Sequence, residues 1–328
     1  MKNPPNYNLV IIQPTGYIHS LGFIDQARYF RYHLRRLKRN VSITKNRFEQ
    51  DSINIIFGAH LGFEMELTEK YRCIFVNLEQ LGNGGSQQSI AYLDLLNSSP
   101  VIDYDEDNQS TYCSLSKKGP LLTFGFAPYL KTNQLELEKR PIDLLFFGSI
   151  NERRKKIIHR IESTGIQVSF FDHPIYGQER DSYIVQSKCV LNCPYYDSNR
   201  FEQARVSQCL SLGTPVISER GPNAKPNPIF ESSVEWFDNN SLEKIFREDF
   251  LNEKWFNAAR NRLLNFQNAD CHNDFIKITE FCENLHGKKL ILQASDVETP
   301  KKINLGSGKD YKPGWLNIDI NEIGRAHV

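Results

Sequence analysis

LLFFGSINERRKKII, residues 144–158, decides how this chain is read. The apolar run Leu144–Phe147 has no polar alternation, as in a strand covered on both faces. Gly148 and Ser149 make a turn, and a helical stretch rich in arginine and lysine begins at once. A strand, a glycine turn and a helix in so few residues open a βα unit, and such units assemble into parallel sheets.

The alternation continues outward in both directions. Downstream, IQVSFFD (166–172), KCVLNCPY (188–195), TPVISE (214–219) and VEWFDN (234–239) read as strands. NERRKKIIHRIESTG (151–165), FEQARVSQCLSLG (201–213) and the long SLEKIFREDFLNEKWFNAARNRLLNF (241–266) read as helices. Upstream, strands are expected at NLVIIQP (8–14), VSIT (41–44), INIIFGAH (53–60), CIFVNLE (73–79) and PVIDYD (100–105). A helix is expected over 23–40, where Phe23, Ala27, Phe30, Leu34 and Leu37 recur at helical spacing. The polar segment KTNQLELEKRP (131–141) separates the two series.

Composition narrows the class. The 328 residues are long enough for two ordinary domains, with 40% hydrophobic and 24% charged residues, as in soluble globular proteins. A net charge of +1 gives no global field to recruit nucleic acid. No run of 18 or more apolar residues offers a membrane span. The seven cysteines include no CxxC pair; they are read as reduced buried thiols, which points to the cytoplasm. DYDED (103–107) has the letters of an acidic metal motif but follows a strand of the first series, so no metal site is expected.

The chemistry concentrates in the second series. A helix N-terminus presents free N–H groups and a positive dipole end, and cations are locally unfavourable there. Arg153, Arg154 and Lys155 at such a place suit a diphosphate. In RFEQARVSQCLSLGTPVISE (200–219), Glu202 and Arg205 lie one turn apart, so a carboxylate and a guanidinium can face one cleft. Arg180 in YGQERD (176–181) is read either as a phosphate ligand or as a helix cap.

These two stretches resemble the donor-binding domain of glycosyltransferases of the GT-B fold, in bacterial sequences of the group 1 type. The resemblance covers roughly residues 5–285, most specifically in FFGSINERR and QCLSLGTPVISE. It implies an α/β protein of two Rossmann-like, doubly wound domains facing a cleft. Residues 1–130 would form the acceptor-side domain and 131–286 the nucleotide-sugar domain, followed by a linker at 287–299. The donor, a nucleotide-diphosphate sugar, would lie against Gly148, Ser149, Arg153, Lys155, Arg180, Glu202 and Arg205, without a metal or other cofactor. The loop with Gly16, His19 and Ser20 is similar to the family's acceptor-side loop. His19, His60 and Glu79 are candidate bases, each at or just beyond a strand's C-terminal end, where ligands bind in open α/β sheets. One departure stands out. The large retaining family carries two glutamates before the GTP turn, where this chain has Arg200 and Gln208. Retention and inversion therefore both stay open.

The tail KINLGSGKDYKPGWLNIDI (302–320) resembles the opening of a class I S-adenosylmethionine-dependent methyltransferase. Gly306 and Gly308 would form its cofactor loop and Asp319 its ribose contact, but residues 300–321 are too few to fold as that domain and are expected to be inactive. The final residues 322–328 end in EIGRAHV, the translation of GAG ATC GGA AGA GCA CAC GTC, which contains the start of a common sequencing adapter; they are expected to be non-native. The combined expectation is a hexosyl-type glycosyltransferase acting on a glycan, lipid or protein acceptor, with no nucleic-acid partner and with peripheral membrane association open. Two alternatives share the fold: a non-catalytic sugar-nucleotide-binding protein, and a sugar-nucleotide epimerase.

Overall fold

Two five-stranded parallel sheets carry the chain from Asn6 to Phe237. In the computed structural model, residues 4–113, 118–171, 173–197, 200–221, 224–295, 303–305 and 316–318 are described. The first sheet is built from β1 (Asn6–Ile11), β2 (Val41–Lys45), β3 (Ser52–Phe57), β4 (Arg72–Asn77) and β5 (Val101–Asp103). Helix α1 (Phe23–Arg36) joins β1 to β2, and the one-turn α2 (Leu67–Lys70) precedes β4. Helices α3 (Ile90–Ser98) and α4 (Glu106–Tyr112) flank β5. The strand order is β2-β1-β3-β4-β5.

The second sheet repeats that winding. It contains β6 (Ile142–Leu145), β7 (Val168–Ser169), β8 (Ser187–Asn192), β9 (Val216–Glu219) and β10 (Glu235–Phe237), in the order β10-β9-β8-β6-β7. The intervening helices are α5 (Glu152–Glu162), α6 (Gly177–Val185), α7 (Gln203–Ser211) and α8 (Pro228–Glu231). In each sheet the third strand lies beside the first, so the winding reverses between them. In an open parallel sheet that reversal leaves a crevice at the strands' C-terminal ends.

The helix expected over 241–266 is broken. It consists of α9 (Leu242–Lys244), a π-helical turn at Ile245–Asp249 and α10 (Glu253–Gln267). Leu251 sits at φ 64°, a conformation no helix interior contains, and Asn252 caps α10 by accepting from the Trp255 N–H at 2.8 Å. The break lets Phe246, Phe250 and Trp255 all turn into the core of the second sheet.

Helix α11 (His272–Ser295) begins against α1, not against the second sheet. Phe275 packs on Tyr29, Phe30 and His33 with ring centroids 5.5, 5.0 and 4.3 Å apart, and Arg36 forms a two-point ion pair with Asp270. The chain thus returns to the first half through aromatic burial. α11 also runs on to Ser295, through most of the stretch expected as linker at 287–299.

Residues Met1–Cys282 form one unit and Glu283–Val328 a second. In the second, β11 (Ile303–Leu305) and β12 (Leu316–Ile318) pair in parallel. Gly306, Gly308 and Asp319 lie outside the described residues, as does the 322–328 segment.

Polar side chains lock the first sheet internally. Asn8, fully buried in β1, donates to Asn54 Oδ1 (3.0 Å) and to the Arg47 carbonyl (2.9 Å), and accepts from Thr44 Oγ1 (2.9 Å). Asn8→Ala strands those buried partners and should cost about 2 kcal/mol in equilibrium urea unfolding. A loss no greater than that of an exposed alanine substitution would show that the network contributes nothing.

Candidate functional site

A cleft of about 1040 Å³ opens at the C-terminal ends of both sheets, within the Met1–Cys282 unit. Its walls include the loop after β1 (Tyr17, His19) and, from the second sheet, the loops after β6 (Gly148, Ser149) and β8 (Tyr195, Tyr196). These are the loops that follow the strands at the winding reversals, so the topology itself places the cleft.

Gly148, Arg154, Glu202 and Arg205 meet in one corner of the cleft. Gly148 has φ 119°, and a Cβ there would lie 2.9 Å from the Arg205 guanidinium. Only glycine lets the turn pass this close beneath the arginine. Arg154 is 1% exposed. Its Nη1 donates to the Ser149 carbonyl (2.8 Å), and its Nε (2.9 Å) and Nη2 (2.6 Å) donate to the Cys193 carbonyl. Nη2 also reaches Glu202 Oε1 at 3.2 Å. Burial pushes the Arg154 guanidinium below its ordinary range, and Glu202 pulls it back.

The two helix N-termini at this corner differ. At α5, Asn151 is the cap and accepts from the Arg154 N–H at 2.9 Å. At α7, Glu202 holds the cap position but makes no capping hydrogen bond. Its carboxylate turns to Arg154 and to Arg205, whose Nη1 lies 3.1 Å from Oε2. That Nη1 is buried and not aligned to donate a hydrogen bond to any group. The first turn of α7, with Ala204 and Arg205 lining the cleft, is therefore the uncapped, positive helix end.

Two expected donor ligands stand elsewhere. Arg153 turns outward to Glu219 (2.5 Å) and the Pro194 carbonyl (2.8 Å). Lys155 is exposed on α5 and pairs with Glu152 at 2.7 Å. Neither lines the cleft. The reason is rotational: the buried stripe of α5 is Arg154, Ile157, Ile158 and Ile161, which points residues 153 and 155 away from it. That stripe was the signal that could have singled out Arg154. Arg180 does line the cleft but is engaged by Asp25 (2.9 Å) from α1 and by Asp181 (2.6 Å). Burial works against its charge, but the two carboxylates outweigh burial and raise its pKa. Arg180 thus ties the two halves together across the cleft. Gln208 donates to Asp181 at 3.2 Å, and Arg200 reaches over to Asp105 and the Leu81 carbonyl.

On the first half, His19 is exposed and its Nδ1 shares a 2.7 Å hydrogen bond with the Tyr176 hydroxyl across the cleft. Glu79 lines the cleft just beyond β4. His60 stands behind it, with Nε2 3.5 Å from Glu79 Oε1, and does not itself line the cleft. Burial holds His60 below the usual imidazole range, against the pull of Glu79. Among the described residues, no group of three or more His, Cys, Asp or Glu side chains is arranged to hold a metal ion. No described helix is long and apolar enough to cross a membrane.

The same pair of facing, doubly wound sheets recurs in solved structures. HepE of Anabaena, solved with UDP-glucose, superposes with a TM-score of 0.54 at 13% identity, over 85% of this chain and 99% of its own. AviGT4, a glycosyltransferase of avilamycin A biosynthesis, gives 0.52 at 11% identity over 89% and 99%. WaaG, a glycosyltransferase of lipopolysaccharide biosynthesis, gives 0.50 at 10% identity over 84% and 98%. The fold is GT-B. By sequence, no protein-family model matches the chain. The uncharacterized protein L140 of Acanthamoeba polyphaga mimivirus is 25% identical over 229 residues, 63% of this chain and 70% of that protein. The uncharacterized protein L138 of the same virus is 35% identical over 78 residues, 24% of this chain and only 9% of that protein. These sequence relatives are viral and lend no support to the expected bacterial source.

Proposed function

We propose that this chain transfers a glycosyl group from a nucleotide-diphosphate sugar to an acceptor hydroxyl, with the donor's diphosphate at the Gly148–Arg205 corner. The uncapped N-terminus of α7, beside the buried and unaligned Arg205 Nη1, carries this reading. A diphosphate leaving group needs charge neutralisation that is already in place when the bond breaks, and helix amides with a fixed guanidinium supply it. Glu202 then orients Arg205 and is within reach of a sugar or ribose hydroxyl. Arg154 acts as a positioning residue that ties the Gly148 turn to β8 and to Glu202.

The GT-B neighbour solved with UDP-glucose supports a uridine diphosphate donor. The acceptor belongs on the first half, and a hydroxyl of a glycan, a lipid-linked glycan or a protein is the chemical class that fits a hexosyl donor. Arg28, Arg31 and Arg35 stand along one face of α1, and the charges of Arg35 and Arg28 add to burial in lowering the Arg31 pKa. Such a cationic face supports peripheral contact with an anionic membrane on the cytoplasmic side.

Titration calorimetry with UDP tests the donor site. Arg205→Ala should weaken UDP binding at least tenfold, since a charge-assisted hydrogen bond contributes about 1.5–3 kcal/mol. Lys155→Ala should leave it within a factor of about two, because an exposed pair contributes about 0–1 kcal/mol. Equal losses in both variants, or no UDP binding by the parent protein, would remove the site from this corner.

A further inference from the structure

Three carboxylates line the cleft among the described residues: Asp25, Glu79 and Glu202. Asp25 is taken up by Arg180 and Glu202 by Arg154 and Arg205. Glu79 is paired with no arginine or lysine among the described residues; its ionisable neighbour is His60. Asp25 and Glu202 are thus already engaged by guanidinium groups, whereas no guanidinium or ammonium among the described residues holds the Glu79 carboxylate.

Glu79 is also fixed in place. Its carbonyl accepts from Asn108 Nδ2 (2.8 Å) and Asn77 Nδ2 (3.2 Å), and its N–H donates to Asn77 Oδ1 (3.2 Å). Both asparagines donate in turn to Asp103, at 2.8 and 3.2 Å, and Asp103 is fully buried at the end of β5. At the side chain, Gln88 Nε2 donates to Oε2 at 3.3 Å and His60 stands 3.5 Å from Oε1. Phe23 and Tyr92 close around the imidazole, with ring centroids 6.0 and 5.6 Å away. The titratable groups facing this pair are Tyr92 and, one layer behind, Asp103. Rigid backbone, supported side chain and an open face toward the cleft are what a general base requires.

Resting on the glycosyl-transfer reading, we propose that Glu79 is the catalytic base, that His60 is its positioning residue, and that the reaction inverts configuration at the anomeric carbon. The acceptor hydroxyl passes its proton to the Glu79 carboxylate while its oxygen forms the new bond to C1. The bond from C1 to the diphosphate oxygen breaks, and its electron pair leaves with the diphosphate against Arg205. Glu79 belongs to the first half and Arg205 to the second, so nucleophile and leaving group approach C1 from opposite walls. His19 is left outside this step, because it is exposed and bonded to Tyr176.

The full chain, incubated with UDP-α-glucose and methanol, should release the methyl β-glucoside, read by the anomeric proton coupling in NMR; as an acetal this product does not mutarotate. Glu79→Gln should lower kcat by 10²-fold or more, the range of a lost general base, with UDP affinity unchanged. Glu79→Asp should retain an intermediate rate. His60→Gln should move the acid limb of the pH profile of kcat/KM, which a purely structural histidine would not do. An α-configured product, or Glu79→Gln at more than a tenth of the parent rate, overturns the base and inversion while leaving glycosyl transfer standing. UDP binding without any turnover overturns the base as well. Absence of both binding and turnover instead overturns the proposed function itself.

Discussion

Arg154→Met should destabilise the protein by about 3–5 kcal/mol, the cost of removing one partner from a buried charged network. The substitution leaves the Ser149 and Cys193 carbonyls without their donor and Glu202 without its buried partner. It also removes the guanidinium from between the Phe146 and Tyr195 rings, 5.3 and 5.2 Å from their centroids. Methionine refills much of the volume, so the loss reports hydrogen bonding and charge more than a cavity. Equilibrium urea unfolding provides the value, with Lys155→Met beside it as a control expected to change stability by no more than about 0.5 kcal/mol. Similar values for the two variants would mean that Arg154 is not the structural centre of the corner.

The second large effect is a pH dependence of stability centred on His33. This residue is fully buried between α1 and the start of α11, stacked on Phe275, with its Nδ1 3.3 Å from that of His272. Burial pushes its pKa down to about 3, assisted by Arg36 and His272 and opposed by Asp270. The unfolded chain binds a proton at the ordinary imidazole value near 6.5 while the folded chain does not. Stability from the neutral ring is therefore complete above about pH 6.5 and falls as pH drops toward about 3. The loss approaches roughly 5 kcal/mol at the bottom of that window, at about 1.4 kcal/mol per unit. Asp103 runs the other way. Its burial lifts the carboxyl to about 6 against hydrogen bonds from Asn77, Asn108 and Tyr112. The folded state then holds a proton that the unfolded chain has lost, so stability falls as pH rises between about 4 and 6. Comparing the parent with His33→Leu at each pH cancels the Asp103 contribution. The difference should swing toward the leucine variant on acidification, and a difference that is flat from pH 7 to pH 4 contradicts the assignment.

The architecture was legible because strand runs and their glycine turns are local. LLFFGS and NLVIIQ each precede a loop that lines the cleft. The rotation of a helix about its own axis was legible only through its buried stripe. On α5 that stripe includes a charged residue, and reading the arginine cluster as a block obscured which member faced inward. The engagement of Arg180 by Asp25 could not be read from either segment, because the partners are remote in sequence and meet only when the halves close on each other. The return of α11 to α1 was hidden for the same reason, being specified by aromatic packing between Phe275 and residues 29–33. The tail resemblance finds no counterpart in the comparisons, and the positions that would hold a cofactor lie outside the described residues.

A crystal structure of the full chain soaked with UDP tests the donor site most directly. The predicted result is diphosphate density between the Gly148 turn and the first turn of α7, within hydrogen-bonding distance of the Arg205 guanidinium. Density for UDP against the first half, or on Arg153 and Lys155 at the outer face of α5, would contradict it.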